Sequence, residues 1–148
     1  MSAKVPALLF AALATAAPAA PARPAPPPAS DWTAACTDND EWDKAGPPFR
    51  VHGNTWYVGT CGIAALLITG RQGHVLIDGG TAKGGDLIAA NITRLGFRLK
   101  DVKVLLHSHE HFDHVGGLAR LQQLTGARLI ASPAAAPVLA SGKDQPDD

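Results

Sequence analysis

The sequence HSHEHFDH, residues 107–114, places four of the six histidines of the chain and two carboxylates within eight positions. It directly follows VKVLL (Val102–Leu106), a mostly apolar and β-branched run that predicts a buried strand. Sites in open α/β sheets commonly form just beyond the carboxyl end of such a strand. Imidazole and carboxylate side chains together suit zinc, or less specifically iron or manganese. The run therefore predicts a metal site.

The spacing within the run separates the candidate ligands. His109 and His111 are two positions apart, so in an extended segment both side chains lean to the same side and can reach one ion. Asp113 and His114 are adjacent and point in different directions, so that one of them can serve a second ion. We take these four residues as the candidate metal ligands.

Other polar residues receive different interpretations. We expect His107 to point into the sheet or its edge, Glu110 to point away from the ions, and His52 and His74 to be structural or surface residues. Asp78 ends a buried strand, where a carboxylate needs a polar partner. It either caps local backbone N–H groups or orients a metal ligand from behind.

The sequence does not support several other classes of function. The helical protease motif H-E-x-x-H is absent, because Asp113 occupies the position at which His109 and Glu110 would need a second histidine. The sequence contains no G-x-S-x-G elbow of serine hydrolases. A formal net charge of zero gives no support for nucleic-acid binding.

The remaining patterns predict a mixed α/β sheet with helices on at least one face. Alternation, apolar runs and turn residues predict strands at residues 47–59 (with a turn at Gly53 and Asn54), 63–69, 74–78, 102–106 and 128–132. Helical periodicity predicts helices at residues 85–96 and 115–127, and a weak one at 134–142.

The first 34 residues are expected to lie outside the globular domain. Residues 1–22 have a basic start, an apolar stretch and A-x-A patterns, as a cleaved signal peptide does. A membrane anchor is disfavoured because the apolar run, interrupted by Pro6 and Pro18, is shorter than the roughly 20 residues a span needs. Residues 23–34 are predicted to be an extended Pro/Ala-rich linker. Residues 35–148 would form the domain, exported to the periplasm.

Cys36 and Cys61 are the two cysteines of the sequence. Export permits a disulfide between them, tying the N-terminal segment to the first hairpin, and this is the default prediction. Two free thiols and a pair of zinc ligands are the alternatives. Zinc binding by this pair is disfavoured because neither cysteine belongs to a C-x-x-C motif.

Residues 109–114 match H-x-H-x-D-H, and the chain thereby resembles the metallo-β-lactamase superfamily, whose fold is an αββα sandwich. Residues 47–80 and 95–132 resemble the third subclass of the zinc β-lactamases. The resemblance extends over roughly residues 36–148. It implies zinc-dependent hydrolysis of penicillins, cephalosporins or carbapenems, and hence antibiotic resistance.

The resemblance also implies residue roles. His109 and His111 would hold a first zinc with a third histidine, and Asp113 and His114 a second zinc with another histidine. Asp113 would also be catalytic, positioning the attacking hydroxide and relaying a proton. The Cys36–Cys61 pair is compatible with a disulfide of some members.

Two features of the sequence depart from the family pattern. No histidine follows His114, so we expect the last ligands and the second half of the sandwich to lie beyond residue 148, and residues 1–148 alone to be inactive. Glu110 replaces a smaller or apolar residue. The alternatives are another hydrolase of the superfamily, such as a glyoxalase II-like thioesterase or a lactonase, or an inactive fragment.

Overall fold

The structure is a computed structural model that describes residue 25 and residues 27–143. Within these residues six strands form one sheet in the order β1 to β6. They are β1 (Phe49–His52), β2 (Thr55–Tyr57), β3 (Leu66–Ile68), β4 (His74–Ile77), β5 (Val102–Leu106) and β6 (Arg128–Leu129). Neighbours from β1 to β4 are antiparallel, whereas β4, β5 and β6 are parallel. The predicted mixed α/β sheet is confirmed.

In the described part of the chain, helices connect the parallel strands, and others precede β1 and follow β6. The helices are α1 (Ala29–Ala35), α2 (Gly84–Arg94), α3 (Phe112–Val115), α4 (Leu118–Thr125) and α5 (Ala136–Ser141), with a 3-10 turn at Leu99–Asp101. The helix predicted at residues 115–127 is wrong at its start, because Gly116 and Gly117 separate α3 from α4. The strand predicted at residues 128–132 is only two residues long.

The core lies between one face of the sheet and the helices α2 and α4. Alternate strand residues and one face of each helix share a single buried cluster, which includes Trp56, Leu67, Leu76, Ile88, Ile92, Leu105, Leu118 and Leu121. Intervening strand residues such as Leu66, Ile77 and Leu106 are only half-buried. This alternation follows from the two-residue period of a strand, which sends successive side chains to opposite faces.

The N-terminal predictions have different outcomes. The predicted signal peptide, residues 1–22, lies outside the described residues. The linker prediction is wrong for residues 29–34, which belong to α1. The ring of Trp32 lies edge-on to Phe49 and Tyr57, with centroid distances of 6.4 and 5.8 Å. Such aromatic contacts give this short segment a partner that a solvated linker lacks.

The predicted disulfide between Cys36 and Cys61 is present, and both cysteines are buried. It joins the end of α1 to the segment that follows β2. The two alternatives, free thiols and a pair of zinc ligands, are therefore wrong.

Two side chains near the disulfide have shifted pKa values. A hydrogen bond from Lys44 lowers the pKa of Asp40, whereas burial raises the pKa of Tyr57. None of the helices in the described part of the chain is long and apolar enough to cross a membrane.

Candidate metal centre

The candidate centre lies where two neighbouring parallel strands end. Because β4 and β5 are parallel, their carboxyl ends meet at the same edge of the sheet. The backbone N–H of Asp78 donates to the carbonyl of Leu106 at 3.0 Å, and that of Gly79 donates to the carbonyl of His114 at 2.7 Å. The histidine run after β5 is thus held against the turn after β4.

The second half of the run is helical. His111 is the residue before α3, and its carbonyl accepts hydrogen bonds from the N–H groups of His114 and Val115 at 2.9 and 3.0 Å. Asp113 and His114 therefore lie in the first turn of a helix, and not in an extended loop. Helical geometry turns Asp113 back toward the residues that precede it.

Close backbone contact holds the segment after α3 to the turn after β4 and to the start of α2. The N–H of Gly117 donates to the carbonyl of Gly80 at 3.1 Å. A Cβ atom at Gly117 would lie 2.2 Å from the carbonyl oxygen of Gly79 and 2.6 Å from the nitrogen of Gly85. Since Gly117 has an ordinary φ of −87°, lack of space is what requires glycine here.

Three of the four candidate ligands converge. His109, His111 and Asp113 each offer one ligand atom, and these atoms lie within 4.8 Å of one another. The expected convergence of His109 and His111 is present, with ring centroids 4.8 Å apart. Asp113 joins this pair, and its Oδ2 also lies 3.4 Å from Nε2 of His114. The ring of His114 also lies against that of His109, with centroids 3.9 Å apart, so the two sets expected from the sequence are in contact.

Asp78 supports this group from behind. Its Oδ1 accepts a hydrogen bond from the backbone N–H of Ser108 at 2.7 Å, and its Oδ2 lies 3.1 Å from Nδ1 of His114. The carboxylate therefore caps a backbone N–H and also contacts a candidate ligand. That it orients a metal ligand stays a prediction. These contacts supply the polar partners that a buried carboxylate needs.

The other polar residues considered in the sequence are not among the converging donors of the described residues. Glu110 lines a cavity of about 290 Å³ together with residues of α4 and α5. His107 is outside the group, and its Nδ1 is buried without a hydrogen-bond partner among the described residues. His52 is exposed on β1. His74 accepts a hydrogen bond from Gly70 N at 3.3 Å, and its ring contacts that of Phe97.

One residue that contacts the donor group, Ser108, and one aromatic residue that contacts Phe112, Trp42, were missed in the sequence. Ser108 contacts Asp78, His109 and His114 through its hydroxyl, and its position between two histidines was the available signal. Trp42 is 48% exposed, and its ring lies 5.5 Å from that of Phe112. No periodicity marks this tryptophan, which lies in a polar segment near the disulfide.

The sequence of the chain matches a known protein family. The family model of the metallo-beta-lactamase superfamily matches residues 58–147, more than half of the chain. The chain belongs to the metallo-β-lactamase superfamily. The family predicted from the histidine run is therefore confirmed, together with its α/β fold.

Solved metallo-β-lactamases are close relatives. MIM-2 is 65% identical, with a TM-score of 0.78 over 81% of this chain and 46% of its own. MIM-1 from Novosphingobium pentaromativorans is 49% identical, with a TM-score of 0.76 over 80% of this chain and 45% of its own. MEM-A1, a subclass B3 enzyme from a soil metagenome library, is 49% identical, with a TM-score of 0.70 over 73% and 41%. These matches support the predicted third subclass, and the chain spans less than half the length of each relative.

Proposed function

We propose that the full-length protein hydrolyses the β-lactam ring of penicillins, cephalosporins and carbapenems with two zinc ions, and so confers antibiotic resistance. The convergence of His109, His111 and Asp113 at the carboxyl end of β5 carries this proposal. Imidazole nitrogens and a carboxylate oxygen are the ligands of catalytic zinc sites, so the donor set fits the ion. The relatives MIM-2 and SMB-1 are themselves metallo-β-lactamases.

Each candidate ligand has a proposed role. His109 and His111 hold the first zinc, Asp113 and His114 hold the second, and one further histidine for each ion comes from beyond residue 148. When bound, zinc supplies Lewis acidity and a nucleophilic water at neutral pH. Asp78 accepts a hydrogen bond from the Nδ1–H of His114, which keeps the Nε2 lone pair of that ring available.

Asp113 is the proposed catalytic residue. Its carboxylate accepts a proton from the attacking water and returns it to the ring nitrogen as the C–N bond breaks. General acid–base transfer of this kind contributes roughly 10²–10⁴-fold to a rate. Asp113 lies in the first turn of α3. The helix therefore holds its carboxylate beside His109, His111 and His114.

We also propose that residues 1–22 direct export to the periplasm and that residues 35–148 are the N-terminal part of the catalytic domain. The Cys36–Cys61 disulfide supports export, because disulfides persist in oxidising compartments. The proposed partner is a small-molecule β-lactam, with neither nucleic acid nor a stable membrane anchor involved.

Hydrolysis assays test this function. The full-length protein with zinc should cleave nitrocefin and imipenem, and EDTA should abolish both activities. His111→Ala should also abolish them, whereas His52→Ala, an exposed histidine of β1, should keep wild-type rates. A folded, zinc-loaded protein that cleaves a thioester or a lactone but neither β-lactam would contradict the proposal and favour another hydrolase of the superfamily.

A further inference from the structure

The hydroxyl of Ser108 lies at the centre of the polar groups behind the donor set. Its Oγ is 2.9 Å from Oδ2 of Asp78, 3.1 Å from Nδ1 of His114 and 3.2 Å from Nδ1 of His109. The backbone N–H of Ser108 donates to Oδ1 of Asp78 at 2.7 Å and fixes the residue in place. One hydroxyl thus joins a buried carboxylate to two candidate zinc ligands.

The number of hydrogens determines the direction of each hydrogen bond. A serine hydroxyl has one hydrogen to donate and two lone pairs with which to accept. An ionised carboxylate can only accept, so the hydroxyl hydrogen goes to Asp78. The contacts with His109 and His114 then require both Nδ1 atoms to donate to Ser108.

A neutral imidazole carries a single N–H, so a proton on Nδ1 leaves Nε2 with a free lone pair. For His114 the Asp78 carboxylate favours the same tautomer, since its Oδ2 also lies 3.1 Å from Nδ1. For His109, Ser108 Oγ is the hydrogen-bond partner of Nδ1 among the described residues. The tautomer of His109 therefore depends on Ser108, whereas that of His114 has a second support.

We propose that Ser108 is a positioning residue that holds His109 and His114 in the Nδ1–H tautomer and so presents both Nε2 atoms to zinc. The involvement of zinc rests on the proposed function, but the tautomers do not. Partners of this kind fix the ring orientation of a ligand, and their loss weakens metal affinity by about 10- to 100-fold.

Histidine nitrogen NMR of the metal-free, full-length protein tests the proposal. In the wild type, His109 and His114 should both show the Nδ1–H tautomer. In Ser108→Ala, His109 should shift toward Nε2–H while His114 keeps Nδ1–H through Asp78. Ser108→Thr retains a hydroxyl and should restore the wild-type pattern. Ser141→Ala, which removes a remote hydroxyl bonded to the carbonyl of Val138, is the matched control.

Zinc affinity gives the second readout. The zinc dissociation constant should rise about 10- to 100-fold in Ser108→Ala and remain at the wild-type value in Ser108→Thr and Ser141→Ala. Wild-type His109 in the Nε2–H form, or an unchanged His109 tautomer in Ser108→Ala, would overturn the proposal. The wild-type spectrum decides this even if Ser108→Ala does not fold. A wild type with the expected tautomers but without β-lactam hydrolysis would contradict the proposed function alone.

Discussion

Oδ2 of Asp78 lies 3.1 Å from Nδ1 of His114, a residue 36 positions further along the chain. The contact joins the turn after β4 to the first turn of α3. Asp78 has a positive φ of 67°, a conformation that aspartate tolerates better than most residues. The backbone at the end of β4 is thus turned so that the carboxylate faces the candidate metal centre.

Asp78→Asn should weaken zinc binding by about 10- to 100-fold while the protein remains folded. Asparagine also tolerates a positive φ, but its amide nitrogen cannot accept a hydrogen bond from Ser108 or His114. Competition with a chromophoric chelator measures the affinity, and circular dichroism checks the fold. Asp86→Asn is the control, since Asp86 is an exposed partner of Arg120. Equal zinc affinities for the two variants would argue against the role of Asp78.

Gly117→Ala should destabilise the protein by about 3 kcal/mol and weaken zinc binding, because the added Cβ would meet the carbonyl of Gly79 at 2.2 Å. We expect the clash to push the end of α3 away from the turn after β4 and to displace Asp113. Gly126→Ala provides the comparison, since its φ is 74° but nothing lies within 4 Å of the added atom. It should cost only about 1–2 kcal/mol, for the left-handed backbone, and leave zinc binding unchanged. Urea denaturation that ranks the variants in the opposite order would refute the packing argument.

Removing the disulfide by Cys36→Ala with Cys61→Ala should lower the free energy of unfolding by about 3 kcal/mol. The disulfide closes a loop with a sequence separation of 25 residues, and its loss frees the unfolded chain. The zinc dissociation constant should stay within a factor of about 3, because Asp78 and Ser108 lie outside this loop. A large loss of zinc affinity in the folded double variant would contradict this separation.

Asn91→Leu should destabilise the protein by about 3 kcal/mol. The buried side-chain amide of Asn91 in α2 donates to the carbonyls of Gly46, Val58 and Gly59 at 3.1, 3.1 and 2.9 Å. Leucine leaves these acceptors unpaired in the core. Thermal unfolding measures the effect, with the exposed Arg94→Ala on the same helix expected to change stability by less than about 0.5 kcal/mol. Similar unfolding temperatures for the two variants would show that the amide contributes little.

Periodicity predicted the long, regular elements of the fold well. β5 has the bounds expected from its apolar run, Val102–Leu106, and α2 begins within one residue of the predicted start. The break between α3 and α4 was missed, because it depends on contact of Gly117 with the turn after β4 and with the start of α2. The helix α1 was missed because Trp32 packs against rings that are distant in sequence.

The candidate site was predictable to a similar extent. The histidine spacing predicted the convergence of His109 and His111, and the position of Asp78 at the end of a buried strand predicted its polar partners. Their roles toward a metal stay predictions. Ser108 could not be identified in this way, because serine is common in loops and its role depends on three distances across two strand ends. The grouping of Asp113 with His109 and His111 also required the helical turn of α3.

A zinc titration of the metal-free, full-length protein, with the initial rate of imipenem hydrolysis followed at each step, tests the account most directly. We predict a negligible rate without zinc, a rise that saturates as the ion is added, and no rise for His111→Ala at the same concentrations. Full hydrolysis by the metal-free protein, or none by a folded protein shown to contain zinc, would contradict the account.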